Sequence, residues 1–181
     1  MDRKEINLFF IAGESSGDLH GASLIRELKK QAPHVRCAGL GGSRMKEVGV
    51  DILYDLTEIS AVGLTEVILQ YPKFRRIFYM AFDYVTTHRP DAVVLIDFPG
   101  FNLRFAKKVK QLGLPVIYYI SPQLWAWGRG RVRKIKKYVD LMITMFRFEV
   151  DFYREHGVRA VCSGHPFADS IPQPMEPDLS D

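Results

Sequence analysis

Cysteine is scarce in this chain, with two among 181 residues, and no Cys or His spacing suits a metal. Cys37 and Cys162 each sit in an apolar stretch that reads as a strand, so both are expected to be small buried thiols of a reducing compartment. No apolar run approaches the roughly 20 residues that a membrane span requires. The N-terminus lacks the basic-then-apolar pattern of a secretory leader. Absent too are a G-x-G-x-x-G fingerprint, the lysine of a phosphate loop and a D-x-D metal pair. These gaps argue against a disulfide scaffold, a membrane-spanning protein, and the simplest dinucleotide and P-loop enzymes. They point instead to a cytoplasmic protein, soluble or at most peripherally bound to a membrane.

What is present is a normal globular composition, 47% hydrophobic, long enough for one domain with a real core. The chain is organised around Ile6–Ala12, an apolar run without alternation, as expected of a parallel strand buried on both faces. It passes into Gly13-Glu14-Ser15-Ser16-Gly17-Asp18, where two glycines frame a polar loop. Asp18 or Ser16 is placed to cap the following helix, whose apolar positions are Leu19, Ala22, Ile25 and Leu28. Strand, glycine loop and helix open a doubly wound α/β domain, in which ligands sit at the carboxyl edge of the sheet. Taken alone, the loop could equally be a connection.

Further strands are expected at Val35–Leu40, Asp51–Tyr54, Ala92–Ile96, Pro115–Ile120, Leu141–Thr144 and Val158–Cys162, alternating with helices. Ala92–Ile96 ends in Asp97-Phe98-Pro99-Gly100-Phe101-Asn102. An aspartate leaving a central strand projects into the ligand crevice, or else it caps the next helix. Gly100 is expected to let the backbone pass close to a neighbour. The loop after Pro115–Ile120 carries Ser121 and both tryptophans, Trp125 and Trp127, which suggests a binding platform. From Ile171 the composition turns to Pro172, Pro174 and Pro177 with acids, which reads as a linker; residues 1–168 are assigned to the domain and 169–181 to this tail.

Two stretches depart from the rhythm. Ala61–Val85 is apolar beyond one helical face: Val67, Ile68, Leu69, Phe74, Ile77 and Phe78 lie beside Lys73, Arg75 and Arg76. It is either a well-buried crossover helix or a surface that meets lipid or acyl chains. Arg129, Arg131, Arg133, Lys134, Lys136 and Lys137 crowd into nine residues, either a solvated face or a site for an anionic partner.

Several motifs in register are similar to one family. Gly13-Glu14-Ser15-Ser16-Gly17-Asp18-Leu19-His20-Gly21 resembles the amino-terminal signature of lipid-A-disaccharide synthase. Gly41-Gly42-Ser43-Arg44-Met45, Val62-Gly63-Leu64-Thr65-Glu66-Val67, Ile96–Asn102, Tyr119–Trp127, Phe148-Glu149 and Gly164-His165-Pro166 continue the resemblance in order. It implies one half of a GT-B type glycosyltransferase: a Rossmann-like, doubly wound parallel sheet on the acceptor side, with the carboxyl-terminal nucleotide-sugar domain absent from this chain. The implied reaction joins UDP-2,3-diacylglucosamine to 2,3-diacylglucosamine 1-phosphate (lipid X) with inversion, giving a β-1,6-linked disaccharide and UDP. By the same resemblance Asp97 is the base, with Glu14 as the alternative or as an orienting group. Gly13, Ser16, Gly17, Asp18, Asn102, Ser121, Trp125, Trp127 and Arg129 would bind substrate. No cofactor, no metal and no nucleic acid are implied. The partners would be the lipid sugars, the inner-membrane surface and a separate carboxyl-terminal half. The family often has Asp where this chain has Gly100.

Two other readings stand beside this one. A different nucleotide-dependent α/β enzyme is disfavoured by the missing phosphate motifs. A non-catalytic lipid- or membrane-binding module is kept open by the Ala61–Val85 stretch.

Overall fold

The computed structural model describes residues 5–60, 71–122 and 129–164. Its strands are β1 (Ile6–Ala12), β2 (Val35–Gly41), β3 (Asp51–Asp55), β4 (Ala92–Ile96), β5 (Val116–Tyr119), β6 (Leu141–Thr144) and β7 (Ala160–Cys162). Its helices are α1 (Ser15–Gln31), α2 (Ser43–Glu47), α3 (Thr57–Ser60), α4 (Tyr71–His88), α5 (Pro99–Gln111), α6 (Arg129–Tyr138) and α7 (Arg147–Glu155). The strands form one parallel sheet in the order β3-β2-β1-β4-β5-β6-β7. The order reverses between β1 and β4, so the doubly wound, Rossmann-like fold expected from the sequence has its crevice at their carboxyl ends.

The apolar runs explain this arrangement. Every residue of β4 is buried, as are Phe9 through Ala12 of β1, because helices cover both faces of a parallel sheet. One core packs Phe9, Ile11, Val93, Leu95 and Tyr118 against Ile77 of α4, Phe105 of α5, Ile135 of α6 and Tyr153 of α7. In the other, Phe10, Val94, Ile96 and Tyr119 meet α1 and α2 through Ala22, Ile25 and Met45. Ala12 pairs with Ile96 across the ladder, so β1 and β4 end level and Gly13 and Asp97 leave the sheet side by side.

Three expectations are corrected by packing. Cys162 is exposed, its strand lying at the edge of the sheet, whereas Cys37 is buried and its thiol pKa is raised by that burial. Ile77 is 2% exposed and belongs to the core, so it meets neither lipid nor solvent. Gly100 is exposed, and a Cβ there would meet nothing within 4 Å, so no close backbone approach requires it. Helix α4 opens with Pro72 in its first turn, where a missing N–H costs nothing. Residues 61–70, with Val67, Ile68 and Leu69, lie outside the described residues, as does the 168/169 boundary. Among the described residues, no helix is long and apolar enough to cross a membrane.

Candidate active site at the carboxyl edge of β1 and β4

Two carboxylates meet where the strand order reverses. Glu14 is exposed and forms the N-cap of α1 without a side-chain cap hydrogen bond. Asp97 is half-buried one residue beyond β4. Burial raises the Asp97 pKa above the ordinary carboxylate range, and the charge of Glu14 raises it further. A hydrogen bond donated by the Phe98 backbone N–H acts in the opposite direction.

The Asp97 backbone is held from several sides. Its carbonyl accepts from Asn102 Nδ2 at 2.7 Å and from the Tyr118 hydroxyl, and Asn102 Nδ2 also reaches the Ile96 carbonyl at 3.2 Å. Its N–H donates to the Tyr119 carbonyl at 3.1 Å. Asn102 and Tyr118 are both fully buried, so the clamp is shielded from water. It holds an unusual backbone: Asp97 has φ 45° and Phe98 φ 47°, both left-handed. On the neighbouring strand, Ile120 has φ 64°, a costly conformation for a β-branched side chain. Phe98 lies over Gly13 so closely that a Cβ there would stand 2.3 Å from its ring. Only glycine lets the two loops approach to this distance.

The other expected site residues separate into groups. Ser16 is exposed at the start of α1, beside the carboxylates, with Gly17 buried beneath it. Asp18 is 3% exposed and caps α2 rather than its own helix. One carboxylate oxygen accepts from the N–H groups of Gly42 at 2.7 Å and Met45 at 3.2 Å, and the other from that of Arg44 at 3.1 Å. The assignment of Asp18 to capping α1 is therefore corrected; its charge serves the orphan donors of a neighbouring helix start. Ser121 donates to Glu149 Oε1 at 2.7 Å, and the Tyr153 hydroxyl donates to the Pro122 carbonyl at 3.1 Å. Burial and the Glu149 charge push the Tyr153 hydroxyl well above its usual pKa. This buried network ties the turn after β5 to α7. Trp125 and Trp127 lie outside the described residues, and so does the Arg129 side chain.

An apolar groove begins at the same edge. Phe74 and Phe78 of α4 face Phe98, and Phe101 of α5 completes the floor of a space of about 620 Å³. Arg75, Arg104, Lys107 and Lys108 stand around it. Of the residues proposed from sequence to meet acyl chains, only Phe74 and Phe78 line this space.

The chain matches the lipid-A-disaccharide synthetase family profile over residues 8–179. It belongs to that family. It is 45% identical to lipid-A-disaccharide synthase of Myxococcus xanthus over 167 residues, covering 92% of this chain and 44% of that protein. The corresponding enzyme of Coxiella burnetii is 45% identical over 164 residues, again covering 44% of its length. The chain thus spans less than half of the curated relatives it matches. Among solved structures it superposes on a UDP-GlcNAc 2-epimerase from Neisseria meningitidis bound to UDP-GlcNAc, with a TM-score of 0.61, 13% identity and coverage of 88% of this chain and 47% of that one. The calicheamicin glycosyltransferase CalG4 gives 0.57 at 16% identity, covering 97% and 57%. These likenesses show a shared fold, that of GT-B glycosyltransferases and related epimerases.

Within this lipid-A-disaccharide synthetase chain, sequence reasoning missed Tyr118, Phe98 and the pair Glu149–Tyr153. The signal for Tyr118 was a hydroxyl in the middle of an otherwise apolar central strand, where a buried phenol must find an acceptor. Phe98 gave no such signal, because its role comes from a left-handed turn that only the folded backbone displays.

Proposed function

We propose that this chain is the acceptor-side half of an inverting glycosyltransferase of lipid A assembly. Its donor would be UDP-2,3-diacylglucosamine and its acceptor 2,3-diacylglucosamine 1-phosphate, whose hydroxyl seats against Asp97. Asp97 takes the hydroxyl proton as the oxygen attacks the donor's anomeric carbon. The glycosidic bond forms on the opposite face as UDP leaves with the bonding electrons. The observation that carries this reading is an aspartate at the fold's ligand crevice, rigidly clamped, with a pKa raised by burial and by Glu14. An unperturbed aspartate, with a pKa of about 4, is a weak base in water; desolvation moves it toward usefulness. Glu14, exposed one loop away, orients the acceptor by the charge it presents. The carboxyl-terminal half would hold the nucleotide, and both partners would meet at the inner-membrane surface where their acyl chains reside.

The test is Asp97→Asn in an enzyme completed with its carboxyl-terminal half. Loss of a positioned base is expected to lower turnover by roughly 10²–10⁴. Near-normal turnover would transfer the role to Glu14, and Glu14→Gln would then carry the loss. The chain without its other half is expected to release no UDP from the two lipid sugars.

A further inference from the structure

We infer that the groove between α4 and α5 holds an acyl chain of one phosphorylated glycolipid molecule, with the cations of α5 seating its phosphate. This rests on the proposed function and assigns its lipid-binding subsite. Phe78 meets Phe101 with ring centroids 5.3 Å apart, Phe101 meets Phe98 at 5.8 Å, and Phe74 meets Phe98 at 6.3 Å. The rings form a continuous apolar floor from the groove to Phe98, whose backbone adjoins Asp97. A chain lying on them emerges beside the carboxylates.

Size and charge favour this occupant. A space of about 620 Å³ is in the roughly 300–1,000 Å³ range of small-molecule sites. Arg104, Lys107 and Lys108 are exposed and share one ridge of α5, three and four residues apart, while Arg75 faces them from α4. No carboxylate is among the lining residues, so the cations attract an anion rather than neutralise an internal one. The groove is concave, and its phenylalanines are half-buried or buried. A single chain can enter and reach them, whereas a flat bilayer surface meets side chains that protrude. A monomer is therefore the occupant, taken from the membrane and held with its phosphate on the rim.

Calorimetry on the full chain tests this without turnover, so its outcome is separable from that of Asp97→Asn. The probes are dodecyl phosphate below its micelle concentration, an uncharged dodecyl glycoside and inorganic phosphate. Dodecyl phosphate is expected to bind, the uncharged probe more weakly, and inorganic phosphate not measurably. Arg104→Gln with Lys107→Gln and Lys108→Gln should weaken dodecyl phosphate about tenfold or more, at a fraction of the binding energy per cation. Gly100→Phe adds a ring at the groove lining where the Cβ meets nothing, so the fold is kept while the chain is excluded. Melting curves on both variants confirm folding. Unchanged binding by folded Gly100→Phe overturns the proposal. So does binding only to anionic vesicles and not to the monomer, which would make this face a bilayer contact.

Discussion

Removing the Asp18 carboxylate separates a structural role for this conserved-looking loop position from a ligand-binding one. In Asp18→Ala the N–H groups of Gly42 and Met45 lose their acceptor in buried surroundings, and that of Arg44 loses it in partly buried ones. Each orphaned buried donor costs about 1–3 kcal/mol, so two cost roughly 2–6 kcal/mol, with a smaller addition from Arg44. A domain of this kind has only about 5–15 kcal/mol in total. Asp18→Asn keeps one oxygen for Gly42 and Met45 but turns an amide NH₂ toward the Arg44 N–H, at a cost of about 1–2 kcal/mol. Urea unfolding followed by circular dichroism should therefore rank wild type above Asn, and Asn above Ala, with unchanged m-values. Gly42→Ala approaches the same contact from the other side, because its Cβ would lie 2.8 Å from Asp18 Oδ2. Its cost should be less than additive with Asp18→Ala, since both break one contact. An Ala variant within about 1 kcal/mol of wild type would refute the cap and return Asp18 to the ligand.

Two further outcomes are expected. The Asp97 pKa is raised in the fold, so the stability its protonated form gives is fully present below the ordinary carboxylate pKa and is lost as pH rises through the folded value. Asp97→Asn, always neutral, should then melt at or above wild type near neutral pH and lose that advantage in acid; a lower melting temperature at neutral pH would contradict the assignment. Gly13→Ala drives a methyl to 2.3 Å from the Phe98 ring and should cost about 1–3 kcal/mol by urea unfolding, with part recovered in a Phe98→Ala background.

The fold was legible because a parallel sheet needs apolar runs on both faces, and Phe9–Ala12 and Ala92–Ile96 supply them without ambiguity. The glycine loop and Asp97 were legible for a related reason: polar residues directly after such runs must leave at the carboxyl edge. What the sequence could not show was partnership across the chain. Asp18 reads as a cap for the helix it begins, yet its partners are 24 to 27 residues away. Ile77 and Phe78 are adjacent in the same apolar stretch, but helical geometry sends one to the core and the other to the groove. The stripe was visible; which side of it faced the sheet was not. Cys162 misled because an edge strand shares its composition with a central one.

The left-handed residues at the carboxyl edge also bear on engineering. Asp97, Phe98 and Ile120 each hold a conformation that costs an ordinary side chain about 1–3 kcal/mol, and all three stand on adjoining strand ends. A search for more stable variants would be drawn to these positions, where glycine relieves the backbone. Each such gain would loosen the turn that aims the Asp97 carboxylate into the crevice. Thermal robustness is better sought on the exposed helical faces remote from this edge, because here improved stability and lost catalytic geometry come from the same substitution.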